Sequence, residues 1–276
     1  FNGPTRNNIP NFRQTDFMVR VMNGTVFTGA VDPRMSRILA PSIGTSETAP
    51  ASAANPDPTK YTFIGNPLNT TASSTNGPSR IPNLWGTFLS GTVTTPGRYI
   101  FRDKAAFPLM TYAEIQFIKA EAAFIKGDKA LALAAYKKGI EASIDFVNLN
   151  TVVSTTYPIT TTITATEKAN FLANVNVVPA EVDLTMSHII LQKYISLFGF
   201  GDLEAWTDMR KYHYDNVNIY KTMAFPTSLF ADNGGKLPYR VRPRFNSEYV
   251  WNFSALQAIG ADKVDYHTVE MWYSKP

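Results

Sequence analysis

The stretch of residues 109–148 constrains the fold more than any other part of the chain, because its signals predict two helices joined by a tight turn. Thr111 and Glu114 have the spacing of a capping box, which satisfies free N–H groups at a helix start. Gly127 can adopt the left-handed conformation that ends a helix, and Asp128 can cap the next helix. The sequence therefore predicts a helical hairpin here.

Apolar residues recur on two sides of the first predicted helix, which indicates a helix covered on both sides, as in a layered helical protein. One stripe is Ile115, Ile118, Ala122 and Ile125, and the other is Phe117, Ala120 and Phe124. In the second helix the small residues Ala132, Ala135 and Gly139 would let a neighbouring helix come close. The order of an aromatic residue, small residues, Gly-Asp, Ala132, Tyr136 and Gly139 resembles a tetratricopeptide helix pair. Such a pair cannot bury both faces alone, so partner helices are expected elsewhere.

Length and composition exclude several classes of protein. The chain has 276 residues, of which 44% are hydrophobic, enough for a core in one large domain or two smaller ones. The net charge of +4 is scattered, which argues against nucleic-acid binding or a polybasic membrane patch. No stretch reaches the roughly 18 apolar residues of a membrane span, and the lack of cysteine excludes disulfides and thiolate sites. The start, FNGPTRNNIPNF, is unlike a signal peptide, so we expect a fragment or a processed chain.

Composition also separates helical from loop-rich parts. Residues 41–100 are rich in Ser, Thr, Ala, Asn, Pro and Gly, and loops of this length are usually functional or disordered. Their aromatic islands predict an ordered surface excursion with short strands. Residues 164–212 carry further helix signals, including capping-box spacing at Thr164 and Glu167, and residues 213–276 form a loop-rich tail. We therefore expect a mostly α fold of tetratricopeptide-like helix pairs with long irregular loop excursions and few short strands.

Within residues 164–212, a long helix is expected over residues 184–198, where apolar residues recur at helical spacing. Gly199 and Gly201 would end this helix, and Asp202 could cap a short helix after it. That short helix is expected to bury Leu203, Trp206 and Met209.

Four sequence blocks follow one another between Val31 and Asn252. They read DPRMSRILAPS, then PLMTYAEIQFIKAEAAFIKGD with AAYKKGIEAS, then IILQKYISLFGFGDLEAWTDMRKY, and finally LPYRVRPRFNSEYVWN. In this order they resemble the SusD/RagB family of nutrient-binding outer-membrane lipoproteins of Bacteroidetes. Two departures are that residues 209–211 read Met-Arg-Lys where the family often has paired arginines, and that Arg244-Phe245 replaces the usual Tyr-Pro.

The resemblance implies a SusD-like fold and a function at the cell surface. Members of the family are lipid-anchored to the outer face of the outer membrane and form a lid over a SusC-like TonB-dependent transporter. They capture oligosaccharides, or in some branches peptides, and pass them on. Members are typically about twice as long, so we expect residues 1–276 to be the C-terminal portion of one SusD-like domain. The resemblance implies no nucleic-acid partner, and membrane contact only through an N-terminal lipid anchor that this chain lacks.

The loop excursion holds the residue types that bind sugars. Flat aromatic faces pack against the C–H surface of a sugar, while planar amides and arginine guanidinium groups bind its hydroxyl groups. Trp85 is the first candidate, because the neighbouring Pro82 and Gly86 could hold it at a surface, although a buried plug beneath the loop is the other interpretation. The predicted ligand-binding residues are Trp85, Tyr61, Asn83, Arg80 and Tyr99.

Catalytic and metal-binding interpretations find little support. A glycosidase needs two carboxylates about 5–9.5 Å apart, and the sequence singles out no such pair. Glu121 is predicted to be a buried hydrogen-bonding residue or a helix-packing contact, and the three histidines (188, 213 and 267) lack metal-ligand spacing. No nucleophile elbow, P-loop or complete dinucleotide fingerprint is present. Residues 232–235, Asp-Asn-Gly-Gly, could bind calcium but fit an ordinary turn better. We expect no enzyme, no cofactor and no metal.

A second hypothesis belongs to a different class. A helical-repeat scaffold could bind a peptide or a protein on its concave surface and take no small ligand. Such a scaffold would have short loops between its helix pairs, whereas this chain devotes residues 41–100 to an aromatic excursion. That excursion favours nutrient binding.

Overall fold

Helices dominate the structure, a computed structural model that describes residues 13–41, 62–68, 99–102, 105–153, 160–226 and 229–275. The helices are α1 (Asp16–Met22), α2 (Met35–Ile38), α3 (Tyr112–Ile125), α4 (Lys129–Asn150), α5 (Ala165–Ala173), α6 (Met186–Ser196), α7 (Asp202–Lys211) and α8 (Phe253–Ala258). Extended segments in these ranges form isolated bridges, such as Thr15–Asn66 and Asn23–Val31. The predicted mostly α fold is confirmed. None of the helices in the described ranges is long and apolar enough to cross a bilayer.

Short helical turns connect the longer elements. They are the 3₁₀ turns Tyr99–Phe101, Glu181–Asp183, Ala231–Asn233 and Tyr266–Thr268, and the π-helical turn Phe245–Tyr249. Most of the predicted excursion over residues 41–100 lies outside the described residues, so its order and its strands stay predictions.

Helices α3 and α4 form the predicted hairpin, and local signals set its ends. The Thr111 hydroxyl accepts a hydrogen bond from the Glu114 N–H at 3.2 Å. Gly127 has a φ of +81°, and the Asp128 carboxylate accepts from the Leu131 N–H at 3.0 Å. These bonds satisfy donors that would otherwise be orphaned at helix starts, which is why the caps could be read from spacing.

The inner face of the hairpin is closely packed. Phe117 and Ala120 of α3 are fully buried, as are Tyr136 and Ile140 of α4. A side chain at Gly139 would place its Cβ 2.8 Å from the Phe117 ring, so only glycine permits this approach. The small-residue stripe of α4 therefore has the predicted role of admitting a neighbouring helix.

The outer face of α3 differs from the prediction of two covered stripes. Ile115, Ile118 and Ile125 are 46%, 44% and 64% exposed. Helices α4 and α6 both pack against α3, and the buried positions of α3 include Phe117 and Ala120 of the other stripe. Within the described part of the chain, the isoleucine stripe is an exposed apolar face.

Helix α6 is buried along most of its length, and α7 follows it after a glycine turn. Gly199 has a φ of +91°. Asp202 is the first residue of α7 rather than its cap, which is Gly201. The prediction that α7 buries Leu203 is wrong, since this side chain is 65% exposed, whereas Trp206 and Met209, also expected to be buried, are half-buried. The buried residue of α7 is Asp208, so its inward face is charged.

A buried charge cluster joins α3, α6 and α7. The Lys193 ammonium donates to Asp208 at 2.9 Å, while Lys211 and Tyr212 both donate to Glu121. Burial alone would raise the pKa of Glu121, but the donors Lys211 and Tyr212 lower it below its ordinary value. Burial raises the pKa of Asp208 despite Lys193 beside it. The prediction that Glu121 is a buried hydrogen-bonding residue is confirmed.

The centre of the molecule is the buried guanidinium of Arg34, which is completely inaccessible. It donates to the Asp32 carboxylate at 2.9 and 2.5 Å, to the Ser143 hydroxyl of α4 at 2.8 Å, and to the Gln192 side chain of α6 at 2.5 Å. One side chain thus ties the turn before α2 to two core helices.

We expect Arg34→Met to lower the free energy of unfolding by about 3–5 kcal/mol, because it leaves the Asp32 carboxylate buried without its charged partner. The matched control is Lys138→Met, which breaks an exposed pair with Glu141 and should change stability by under about 1 kcal/mol. Urea unfolding followed by circular dichroism measures both. Equal, small losses in the two variants would contradict the central role of Arg34.

Candidate ligand-binding cleft

Four of the five predicted ligand-binding residues lie outside the described part of the chain. They are Tyr61, Arg80, Asn83 and Trp85, and their roles stay predictions.

Tyr99 is the fifth predicted residue, and the structure places it in the hydrophobic core. Its ring is 3% exposed and packs edge-on against Phe101 and Phe146, with ring centroids 6.1 and 6.0 Å away. Burial raises the pKa of its hydroxyl. Contact between Tyr99 and a ligand stays untested, but this position supports a packing role at the base of the excursion.

An open cleft lies between residues 29–37 and helix α5, and we call it the α5 cleft. Its volume is about 590 Å³, within the range of about 300–1,000 Å³ typical of ligand pockets. Phe63, from the described part of the excursion, lines one side. The cleft therefore adjoins the segment that carries the predicted site. The polar and aromatic residues that line it include Asp32, Arg37, Glu167, Asn170, Phe171 and Asn174.

Arg37 and Glu167 fix the start of α5 to the wall of the cleft. The Arg37 guanidinium donates to Glu167 at 3.0 Å, to the Thr161 carbonyl at 2.9 Å and to the Pro33 carbonyl at 3.0 Å. Glu167 also forms the predicted capping box with Thr164, since its carboxylate accepts from the Thr164 N–H at 2.7 Å and its own N–H donates to the Thr164 hydroxyl at 3.1 Å. Arg37 and Glu167 thus hold the cleft wall rather than face a ligand.

Two amide side chains line the cleft one helical turn apart, Asn170 within α5 and Asn174 at its end. Asn170 is exposed, and it makes no hydrogen bond with the described residues. The Asn174 side-chain oxygen accepts from the Asn176 N–H at 2.9 Å, which orients the amide and leaves its NH₂ group for other acceptors. Sequence analysis did not single out these residues. The only sign of them in the sequence is that the two asparagines are four residues apart.

Aromatic rings and neutralised carboxylates complete the α5 cleft. Phe171 is buried at its floor and Phe63 is half-buried at its side. The lining carboxylates Asp32 and Glu167 are each paired with an arginine. This chemistry suits binding a hydroxyl-rich ligand, because free amides meet its hydroxyls and rings meet its C–H groups. Within the described residues, no cluster of His, Asp or Glu could hold a metal ion.

We expect the stability lost in Glu167→Gln to depend on pH. Burial would raise the pKa of Glu167, but bonds from Thr164 and the charge of Arg37 lower it below its ordinary value. The stabilisation is therefore complete above the unfolded pKa of about 4.3 and disappears as the pH falls through the lower folded value. The variant should be less stable than wild type by under about 1 kcal/mol at pH 7, since the pair is partly exposed, and this difference should be smaller at pH 3. Urea titrations at both pH values, with Glu141→Gln as control, measure this difference. A loss that persists unchanged at pH 3 would contradict it.

Comparison with known proteins supports the fold. A protein family described as "Starch-binding associating with outer membrane", of SusD-like type, matches residues 2–242. A similar solved structure is a SusD homolog from Bacteroides fragilis, with a TM-score of 0.57 and 20% identity over 95% of this chain and 52% of that one. The chain thus spans about half the length of that homolog. No curated protein sequence matches it. Because the family match extends over most of its residues, the chain belongs to the SusD-like family.

Proposed function

We propose that the protein captures oligosaccharides at the cell surface and delivers them to a SusC-like TonB-dependent transporter of the outer membrane. The observation that carries this proposal is the pair of amides, Asn170 and Asn174, beside the rings of Phe63 and Phe171 in the α5 cleft. The description of the matching family, which names starch binding and association with the outer membrane, supports the same function. Peptides are the second class of ligand that this proposal includes.

The α5 cleft is organised before a ligand arrives. The Arg37–Glu167 pair holds the start of α5, and after its end the Asn176 side chain donates to the Thr28 carbonyl at 2.8 Å. Both ends of the amide-bearing segment are thus tied to residues 28–37. Fixing a binding surface in advance reduces the entropy lost on binding, which favours weakly bonding ligands such as sugars.

The loop excursion supplies the rest of the proposed site. Phe63 brings that segment to the edge of the cleft. We assign the sugar-stacking role to Trp85, and further polar contacts to Arg80 and Asn83, as the sequence predicts. A ligand would then lie between the amides of α5 and the rings of the excursion.

The transporter is proposed to meet the outer face of α3. Ile115, Ile118 and Ile125 form an exposed apolar stripe on the hairpin, and such stripes mark interaction surfaces. In this proposal the protein acts at the outer membrane, attached through a lipid anchor of the full-length form. The scaffold hypothesis predicts the same exposed stripe but no oligosaccharide binding, so ligand titration separates the two.

We expect the double variant Asn170→Ala/Asn174→Ala to bind soluble starch oligosaccharides at least about tenfold more weakly, since it loses two or more hydrogen bonds of about 1 kcal/mol each. Trp85→Ala should weaken binding as well. Isothermal titration calorimetry with a panel of oligosaccharides and short peptides measures these changes. Asn246→Ala, at an exposed asparagine of the tail, is the matched control. If no sugar or peptide binds wild type, the function is wrong, and if the double variant binds like Asn246→Ala, the site is wrong.

We expect Ile118→Glu to reduce strongly the amount of transporter that co-purifies with the protein, because the substitution buries a charge in an apolar contact. Val217→Glu introduces the same charge at another exposed apolar position and should have no effect. Oligosaccharide affinity should be unchanged in both variants. Equal recovery of the transporter with the two variants would exclude the α3 face as the contact.

A further inference from the structure

A second cleft lies beside the α5 cleft, on the other side of the turn around residues 26–31, and we call it the α6 cleft. Its volume is about 530 Å³. Phe27 and Thr28 line it together with Asn176, while Gly29 and Asn174 line the α5 cleft. The bond from Asn176 to the Thr28 carbonyl therefore lies where the two clefts adjoin. Three side chains that can carry charge also line the α6 cleft: Asp183, His188 and Lys221.

His188 presents a donor of known position to the α6 cleft. The Thr185 N–H donates to His188 Nδ1 at 3.2 Å, and the Thr185 hydroxyl lies 2.7 Å from the same atom. A backbone N–H can only donate, so Nδ1 is an acceptor and the proton of the neutral ring is on Nε2. Burial, together with the charge of Lys221, lowers the pKa of His188, which keeps the ring neutral. Among the described residues, nothing accepts a bond from the Nε2–H.

The His188 ring is also held in place. Its centroid lies 6.2 Å from that of Phe27 and 6.5 Å from that of Tyr136, which is fully buried. Because rings pack on two sides of the imidazole and Thr185 is bonded to its Nδ1, the ring has little freedom to rotate. Its donor is therefore fixed before a ligand arrives.

Lys221 adds a positive charge at the same cleft. It is exposed and forms no ion pair or hydrogen bond with the side chains that the structure describes. Its backbone has a φ of +37°, followed by +64° at Thr222. This turn is held by Arg20, whose guanidinium donates to the Thr222 hydroxyl at 3.0 Å and to its carbonyl at 3.2 Å. The ammonium group thus projects from a fixed turn.

Two donors, one of them charged, select a ligand with a negatively charged acceptor. A further polar group, the Asp183 carboxylate, can only accept, so it suits ligand hydroxyls and disfavours a doubly charged group such as phosphate. A sugar that carries one carboxylate and several hydroxyls matches this set. The walls formed by Val26, Phe27 and Leu191 can pack against its C–H groups.

We propose that the α6 cleft binds the carboxylate of an acidic sugar residue, with His188 Nε2–H and Lys221 Nζ as its donors and Asp183 accepting from neighbouring hydroxyls. This inference rests on the proposed capture of oligosaccharides and adds glycans that contain uronic acids to the substrate class.

The first experiment is calorimetric titration with trigalacturonate and with its methyl ester, which has the same sugars without the charge. Trigalacturonate should bind at least about tenfold more tightly at low salt, and this advantage should shrink at 0.5 M salt. Trialanine tests a peptide carboxylate as the alternative source, and tighter binding of trialanine than of trigalacturonate would overturn the sugar assignment. Equal affinity for the acid and its ester would overturn the inference.

Variants locate the binding site. Lys221→Met should remove most of the advantage of the acid over the ester, whereas Lys126→Met, at an exposed lysine of the hairpin turn, should retain it. His188→Asn keeps an acceptor for Thr185 but removes the Nε2 donor, and should also weaken trigalacturonate binding. In wild type, the Nε2 nitrogen resonance of His188 should shift when trigalacturonate is added, which tests the contact without a substitution. An unshifted resonance, or equal binding by Lys221→Met and Lys126→Met, would place the acid elsewhere.

The same titrations separate this inference from the proposed function. If neutral starch oligosaccharides bind and the double variant in the α5 cleft weakens them, while trigalacturonate does not bind, only the assignment of the α6 cleft fails. If no oligosaccharide of either kind binds, both proposals fail.

Discussion

A fully buried arginine holds the segment before α2 against the centre of the helical layer. Arg34 satisfies its donors on Asp32, Ser143 and Gln192, so one planar group joins a turn to α4 and α6. A guanidinium buried in this way is tolerated only because its charge and its hydrogen bonds are matched together. Such a contact specifies one geometry, because a shift of either helix would leave a buried donor unpaired.

Both clefts follow from the position of that segment. Arg37, one turn further on, fixes the start of α5 through Glu167, and Thr28, just before it, receives the Asn176 side chain. The segment from Thr28 to Arg37 therefore forms a wall shared by the α5 cleft and the α6 cleft. The buried cluster around Glu121 and Lys193 holds the other side of the layer, between α3, α6 and α7. Both clefts thus lie at the rim of the helical layer, where side chains are exposed and backbone positions are fixed.

The sequence could predict those parts of the fold that depend on near neighbours. Caps at Thr111, Asp128 and Thr164 need only a side chain and an N–H three residues away, so their spacing identified them. The burial of Leu203 could not be judged in the same way. Periodicity identifies a stripe, but the inward side of α7 is set by Asp208 and its partner Lys193, fifteen residues away. The exposed isoleucine stripe of α3 has a similar cause, since periodicity does not show which apolar face finds a partner.

Local spacing and composition determined the helical hairpin, the mostly α class and, through four blocks in order, the family. The candidate site was decided by tertiary structure. Asn170 and Asn174 line one cleft because α5 lies against the segment that Arg34 positions, and His188 lines another because residues 26–28 and Lys221 lie beside α6. Tyr99, an aromatic residue in a loop by sequence, is packed among Phe101 and Phe146. The physical reason is the same in all three cases. Hydrogen bonds at a spacing of three or four residues form within one helix, so the sequence can predict them. The burial of a side chain, and the cleft that it lines, depend on neighbours distant in the chain.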